Sequence, residues 1–234
     1  MQQLSFSATC KYITPKLLSI DPHVRTDYSY DGVLSIDEVI SVCKQKGLDG
    51  VAILDHNTVE GALKLERKVP DDFVVIVGEE ISTNEGEIAG LFLNESIPLG
   101  LSPEETIDKI KLQGGAVVIT HPFCRFRKSR MRFETIRRIV EMVDIIEVFN
   151  SRNILNSDNQ KAYEFAKEYH KLMTVGSDAH TAHEYGKSYL KVSSFCNAPE
   201  FKMNLSSAEF VTEKSPLWVH PFTKISKIIR KHFE

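Results

Sequence analysis

Histidine and carboxylate side chains recur at one kind of place in this sequence, directly after short apolar runs. His23 follows the run that begins at 16–20. Asp55 and His56 follow 50–54, Glu79 and Glu80 follow 73–77, and His121 follows 116–120. Asn150 follows 145–149, and Asp178 and His180 follow 172–175. Neutral imidazoles and carboxylates are ligands for zinc, manganese or iron. Metal ions a few ångströms apart lower the pKa of bound water and neutralise charge developing on a phosphoryl group. Taken singly, each residue is weak: a lone histidine at a strand end is more often structural, Asp55-His56 reads as a helix entry, and Gly176-Ser177-Asp178-Ala179-His180 reads as an Asx-turn loop. The joint pattern carries the inference.

Such a pattern needs elements whose ends converge. Ser35-Ile36-Asp37-Glu38 is a capping box opening an amphipathic helix that Gly47 closes. Asn57 with Glu60 is expected to cap the next helix, and Ser102-Pro103-Glu104-Glu105 is a second capping box with proline at the first helical position. Strands are predicted at 50–54, 73–77, 116–120, 145–149 and 172–175, with an extra strand at 88–93, and helices at 133–142 and 154–169. The tail at 223–233 reads as a basic amphipathic helix, part of a packing segment over 216–234 anchored by Trp218, Val219 and Phe222. Strand-helix alternation with near-continuous apolar strands predicts a parallel sheet covered on both faces, in one domain over 1–234. Six or seven such units favour a barrel, with a doubly wound sheet as the alternative. In barrels of this kind the carboxyl ends of the strands share one face, where active sites form.

Composition narrows the field further. The 234 residues are 42% hydrophobic and 26% charged with a net charge of -3, which points to neither nucleic acid nor membrane. No apolar run approaches the 18 residues that span a bilayer. Cys10, Cys43, Cys124 and Cys196 are too far apart for a zinc ribbon, and a chain of this size does not need disulfide staples. A reducing, cytoplasmic setting is expected.

Several of these segments resemble, in order, the motifs of the PHP (polymerase and histidinol phosphatase) superfamily. They are the stretch from Asp21-Pro22-His23 to Asp31-Gly32, the stretch from Ile53-Leu54-Asp55-His56 to Gly61, Gly78-Glu79-Glu80-Ile81-Ser82-Thr83, His121-Pro122-Phe123, and Gly176-Ser177-Asp178-Ala179-His180. The resemblance runs from about Ser19 to about His183. It implies a distorted seven-stranded (β/α) barrel, one to three divalent ions (manganese, zinc, iron or magnesium) and hydrolysis of phosphoesters. By that resemblance His23, Glu80 and Asp178 hold one metal, Glu80 bridges to a second held by His121, and Asp31, His56 and His180 hold a third. Asp55 orients a neighbour or a water.

Two positions depart from the family pattern. Where it reads His-x-His, this chain has His23-Val24-Arg25, and where a histidine is usual the chain has Ala89. Arginine is permanently cationic and cannot ligate a metal. Either fewer metals bind and Arg25 stands in for one of them, pairing with carboxylates or clamping phosphate, or the site no longer catalyses. A basic segment follows His121: Arg125, Arg127, Lys128, Arg130 and Arg132. Arg125 and Arg127 are expected to bind substrate phosphate through their planar forks; the other three read equally well as plain surface.

The leading expectation is a phosphomonoesterase or phosphodiesterase acting on a small molecule or nucleotide. The first alternative is a degenerate PHP-like scaffold binding RNA or another phosphorylated partner, similar to the barrel protein of ribonuclease P; the basic loop favours it and the net charge disfavours it. The second is a hydrolase of C–N bonds, disfavoured because no lysine stands at a strand end to bridge two metals.

Overall fold

The computed structural model describes residues 15–219 and residue 221. Along the chain run β1 (Leu17–Val24), α1 (Ile36–Lys46), β2 (Gly50–Ile53), α2 (Glu60–Lys68), β3 (Val74–Thr83), β4 (Gly86–Leu91), α3 (Pro103–Leu112), β5 (Ala116–Ile119) and α4 (Phe133–Ile139). They are followed by β6 (Ile145–Asn150), α5 (Asn156–Glu168), β7 (Leu172–Gly176), β8 (Ser188–Ser193), α6 (Ala198–Leu205) and β9 (Glu209–Thr212). Local chemistry accounts for the helix ends. Ser102 accepts from the Glu105 amide, and the Glu105 carboxylate accepts from the Ser102 amide at 2.9 Å. Gly47 ends α1 at φ 70°, a left-handed conformation that costs a glycine little. The N-cap of α2 is Val59 rather than Asn57. Asn57 instead adopts φ 56° and uses its amide on Ser82, so it staples the end of β2 to β3.

The strands form one sheet in the order β7-β6-β5-β4-β3-β2-β1-β8-β9. β1, β2 and β3 are parallel, as are β5, β6 and β7. The expected all-parallel sheet is interrupted by β4, which is antiparallel to both its neighbours. The cause is local: Thr83 pairs with Gly86, leaving a two-residue turn too short for a crossover helix. Sequence patterning did not indicate β8, α6 and β9, and the helix expected at 133–142 stops at Ile139 and continues as a 3-10 turn, Val140–Met142.

β1 has two partners on one side. Its first half pairs antiparallel with β8, while its end bridges Ala179 beyond β7, where the Arg25 amide donates to the Ala179 carbonyl at 2.9 Å. The sheet therefore curls into a nearly closed barrel, tightest at the carboxyl ends of β1 and β7. Its nine strands exceed the seven expected because β8 and β9 extend the sheet past β1. Helices cover it with buried faces such as Val39 and Cys43 of α1, Ile107 and Ile110 of α3, and Ile136 and Ile139 of α4.

Val219 is buried, and half-exposed Trp218 meets the His183 ring edge-on at 5.5 Å. Phe222 and the helix expected at 223–233 lie outside the described residues. Among those residues no helix is long and apolar enough to cross a membrane. Cys43 and Cys124 are free and buried, whereas Cys196 is disulfide-bonded, which departs from the fully reduced state expected.

Candidate metal centre

Glu80 sits at the middle of the polar cluster. It lies within β3, not after it, and alternation along the strand sends it to one face and Glu79 to the other. Glu79 accepts from the Ile97 amide at 2.9 Å, and burial pushes its carboxyl up to about 7. Glu80 is fully buried and receives the Thr120 hydroxyl at 2.5 Å and the Arg25 guanidinium. His121 Nε2 stands 3.1 Å from one carboxylate oxygen and His56 Nδ1 3.6 Å from the other. Burial opposes its charge, but Arg25, His121 and His56 outweigh burial and hold its pKa well below the usual range.

Two groups of three ligand atoms, each group within 4.8 Å, occur among the described residues: His23–Glu80–His121 and His56–Glu80–Glu87. The first is held from behind by Glu147, whose oxygens meet His23 Nδ1 at 2.8 Å and the His121 amide at 2.7 Å. That contact orients the His23 ring so that Nε2 faces the cluster. Asn150 completes the support, donating to Glu147 at 2.9 Å and to Asp178 at 3.3 Å. Gly176 makes room for it: a Cβ there would lie 2.5 Å from His23 Cβ and 2.6 Å from Glu147 Oε1. Burial, then the Arg127 cation, push His121 down to about 4, so its imidazole is neutral at ordinary pH. His121 and Asp178 adopt φ 34° and 53°, conformations that cost a non-glycine residue about 1–3 kcal/mol and cluster at functional sites.

The second group contains a residue that sequence reasoning missed. Ala89 pairs with Glu80 across the β3–β4 ladder, and Glu87 pairs with Ser82, two positions along on the same face. Glu87 thus brings a carboxylate to the face on which Ala89 offers no ligand, with Oε1 3.5 Å from His56 Nδ1. Period-two alternation along β4 was the available signal. Burial, then the neighbouring Glu80 charge, raise the Glu87 pKa. Tyr30 stacks on the His56 ring at 4.7 Å.

The remaining expected residues fall around these two groups. Asp178 lies 3.3 Å from His23 Nε2 and is paired with Arg127. Asp31 bridges His56 at 3.4 Å and His180 at 3.2 Å; burial opposes its charge, but His180 first, then His56 and Arg25, hold its pKa far below the ordinary range. Arg25 is completely buried, bound to Glu80 and 3.9 Å from Asp178. Asp55 accepts from Thr26 twice, at 2.7 and 2.6 Å, and so fixes the backbone next to Arg25; burial lifts its carboxyl to about 6. Arg125 is taken up by Asp158 at 3.0 Å. Arg152, also missed, is buried beside Glu184, 3.3 Å away.

The donor set fits metal ions on an observation of its own. His23 Nε2, His56 Nδ1, His121 Nε2, Glu87 Oε2 and Asp178 Oδ1 are buried polar atoms without hydrogen-bond partners. Orphaned buried polar atoms are rare, and here they gather around one carboxylate.

The family described as PHP-associated matches residues 156–205. An uncharacterized protein of Methanocaldococcus jannaschii is 43% identical over 147 residues, 57% of this chain and 82% of that protein. A two-domain Bacteroides vulgatus protein containing a predicted PHP-like metal-dependent phosphoesterase matches the fold with a TM-score of 0.63 at 18% identity, over 85% of this chain and 66% of that one. The chain belongs to the PHP superfamily. Another solved structure with a similar fold is a lesion-specific endonuclease of Pyrococcus furiosus, with a TM-score of 0.61 at 15% identity over 83% of this chain and 58% of that one. At these identities the structural likenesses establish the barrel and not a substrate.

Proposed function

We propose that this PHP protein is a metal-dependent phosphoesterase, hydrolysing a monoester or diester of a small molecule or nucleotide. The observation that carries the proposal is the ring of unpartnered buried imidazole and carboxylate atoms around Glu80. His23, Glu80 and His121 would hold one divalent ion, with Asp178 beside them, and His56, Glu80 and Glu87 a second, with Asp31 and His180 behind His56. Manganese, zinc, iron and magnesium all suit histidine-carboxylate sets. Such ions supply an activated water and offset charge on a phosphoryl group. Arg127, partly exposed and paired with Asp178, is the guanidinium placed to exchange that partner for a substrate phosphate. Arg25 supplies a fixed positive charge between Glu80 and Asp178, where the family pattern has a histidine nearby. In this reading the chain forms one PHP-like domain, in a cytoplasmic setting.

The test is metal content of the purified protein, with hydrolysis of p-nitrophenyl phosphate and bis-p-nitrophenyl phosphate read in the same samples. At least one metal equivalent, with turnover lost in His56→Ala and Glu80→Ala, supports the reading. The fully buried Arg25–Glu80 pair is the observation that favours the rival, a binding scaffold without catalysis. Absence of both metal and turnover with every ion would establish that rival.

A further inference from the structure

The basic segment after His121 divides into two parts with different surroundings. Arg125 and Arg127 have carboxylate partners, Asp158 and Asp178. Lys128, Arg130 and Arg132 are exposed and have no carboxylate within ion-pair distance among the described residues. Met131, in their midst, is buried, and it packs where a Cβ on Gly86 would lie 2.6 Å from its Cα. Gly86 has φ 130°, so only glycine lets the β3–β4 turn approach this loop so closely.

Between the turn and the loop lies a cavity of about 430 Å³. It is lined on one side by residues 82–87 and on the other by Lys128, Ser129, Arg130 and Arg132. The charge on Glu85 is already taken by Arg138 at 2.6 Å, with Thr135 donating as well. Glu87 reaches from the cavity lining into the His56–Glu80–Glu87 group. The cavity thus opens beside the candidate metal centre with three cations on its wall: Arg132 shares the Glu85 charge with Arg138, and Lys128 and Arg130 have no carboxylate partner among the described residues.

We propose that this cavity is a subsite for a second phosphate of the substrate, with Arg130 and Arg132 as its recognition residues and Lys128 assisting. It rests on the phosphoesterase reading and narrows it: the preferred substrate carries a phosphate other than the one cleaved. A phosphate is matched by guanidinium forks, and neutral groups would offer these cations no counter-charge.

The test compares glucose 6-phosphate with glucose 1,6-bisphosphate by isothermal titration on the full chain without added metal, so that neither ligand is turned over. Both are measured with the unaltered protein and with Arg130→Ala/Arg132→Ala, a pair of exposed side chains outside the core. The bisphosphate is expected to bind about tenfold more tightly, a size appropriate to two solvent-open charge-assisted contacts, and the double variant to reduce the ratio to about one. Equal affinities in the unaltered protein, or a preference that survives in the variant, would overturn the subsite. Because binding is read directly, this result stands apart from the p-nitrophenyl phosphate assay, whose failure would count against hydrolysis alone.

Discussion

The two ligand groups that share Glu80 are built differently. The His23–Glu80–His121 group is braced from behind: Glu147 grips one histidine by its ring and the other by its backbone, and Asn150 grips Glu147. The His56–Glu80–Glu87 group draws one member from a hairpin strand beside an open cavity, and it is covered by Tyr30, whose side chain is largely exposed. Preorganised donors bind an ion with little rearrangement, whereas a group at a cavity mouth is accessible to an incoming ligand. On the proposed reading, the contrast predicts a holding role for the first group and a substrate-facing role for the second.

The contrast can be broken outright at its shared member. Glu80→Ala is expected to empty both groups and to leave the buried Arg25 cation without its hydrogen-bonded carboxylate, at a cost of about 3–5 kcal/mol. Metal analysis and denaturant unfolding read the two effects. Substitutions on either side sharpen the comparison. Glu147→Gln should lower affinity at the first group by about 10–100-fold while sparing the second. Glu87→Ala should do the reverse, and metal titrations that show one weakened step in each variant would establish the division. Equal weakening of both steps in either variant would dissolve it.

Smaller effects probe the supports. Gly176→Ala inserts a methyl between His23 and Glu147 and should destabilise the fold by about 1–3 kcal/mol, measured by urea unfolding. Arg25→His substitutes a ligand for a fixed cation and should raise bound metal by up to one equivalent, read by elemental analysis. An unchanged metal count would mean that Arg25 occupies no metal's place.

Most of the cluster was legible because parallel strands deliver their carboxyl-terminal residues to one face. His23, His56, His121, Asp178 and His180 could be found by looking where apolar runs stop. Glu87 and Glu147 could not be found that way, since each lies within a strand and reaches the centre by alternation rather than by position at an end. The surroundings of Arg125 were illegible for a related reason. Spacing placed it next to a ligand, but Asp158, 33 residues further on, takes its guanidinium. Among the elements, β8, α6 and β9 went unread because they extend the sheet beyond the repeating strand-helix unit. The antiparallel β4 was read as a strand, but its direction depends on a two-residue turn whose geometry composition does not specify.

The double partnership of β1 bears on how the molecule assembles itself. The contacts that bring its end to the loop after β7 join residues far apart in sequence, such as the Ser177 hydroxyl on the His23 carbonyl across 154 positions. Pairings of such range are slow to form, because a long loop must be closed before any contact rewards it. The β3–β4 hairpin, by contrast, closes through two residues. During refolding, far-UV signal from hairpins and helices should therefore recover before metal-binding capacity at His23, and the interval between the two is the time the chain takes to bring β1 to the loop after β7.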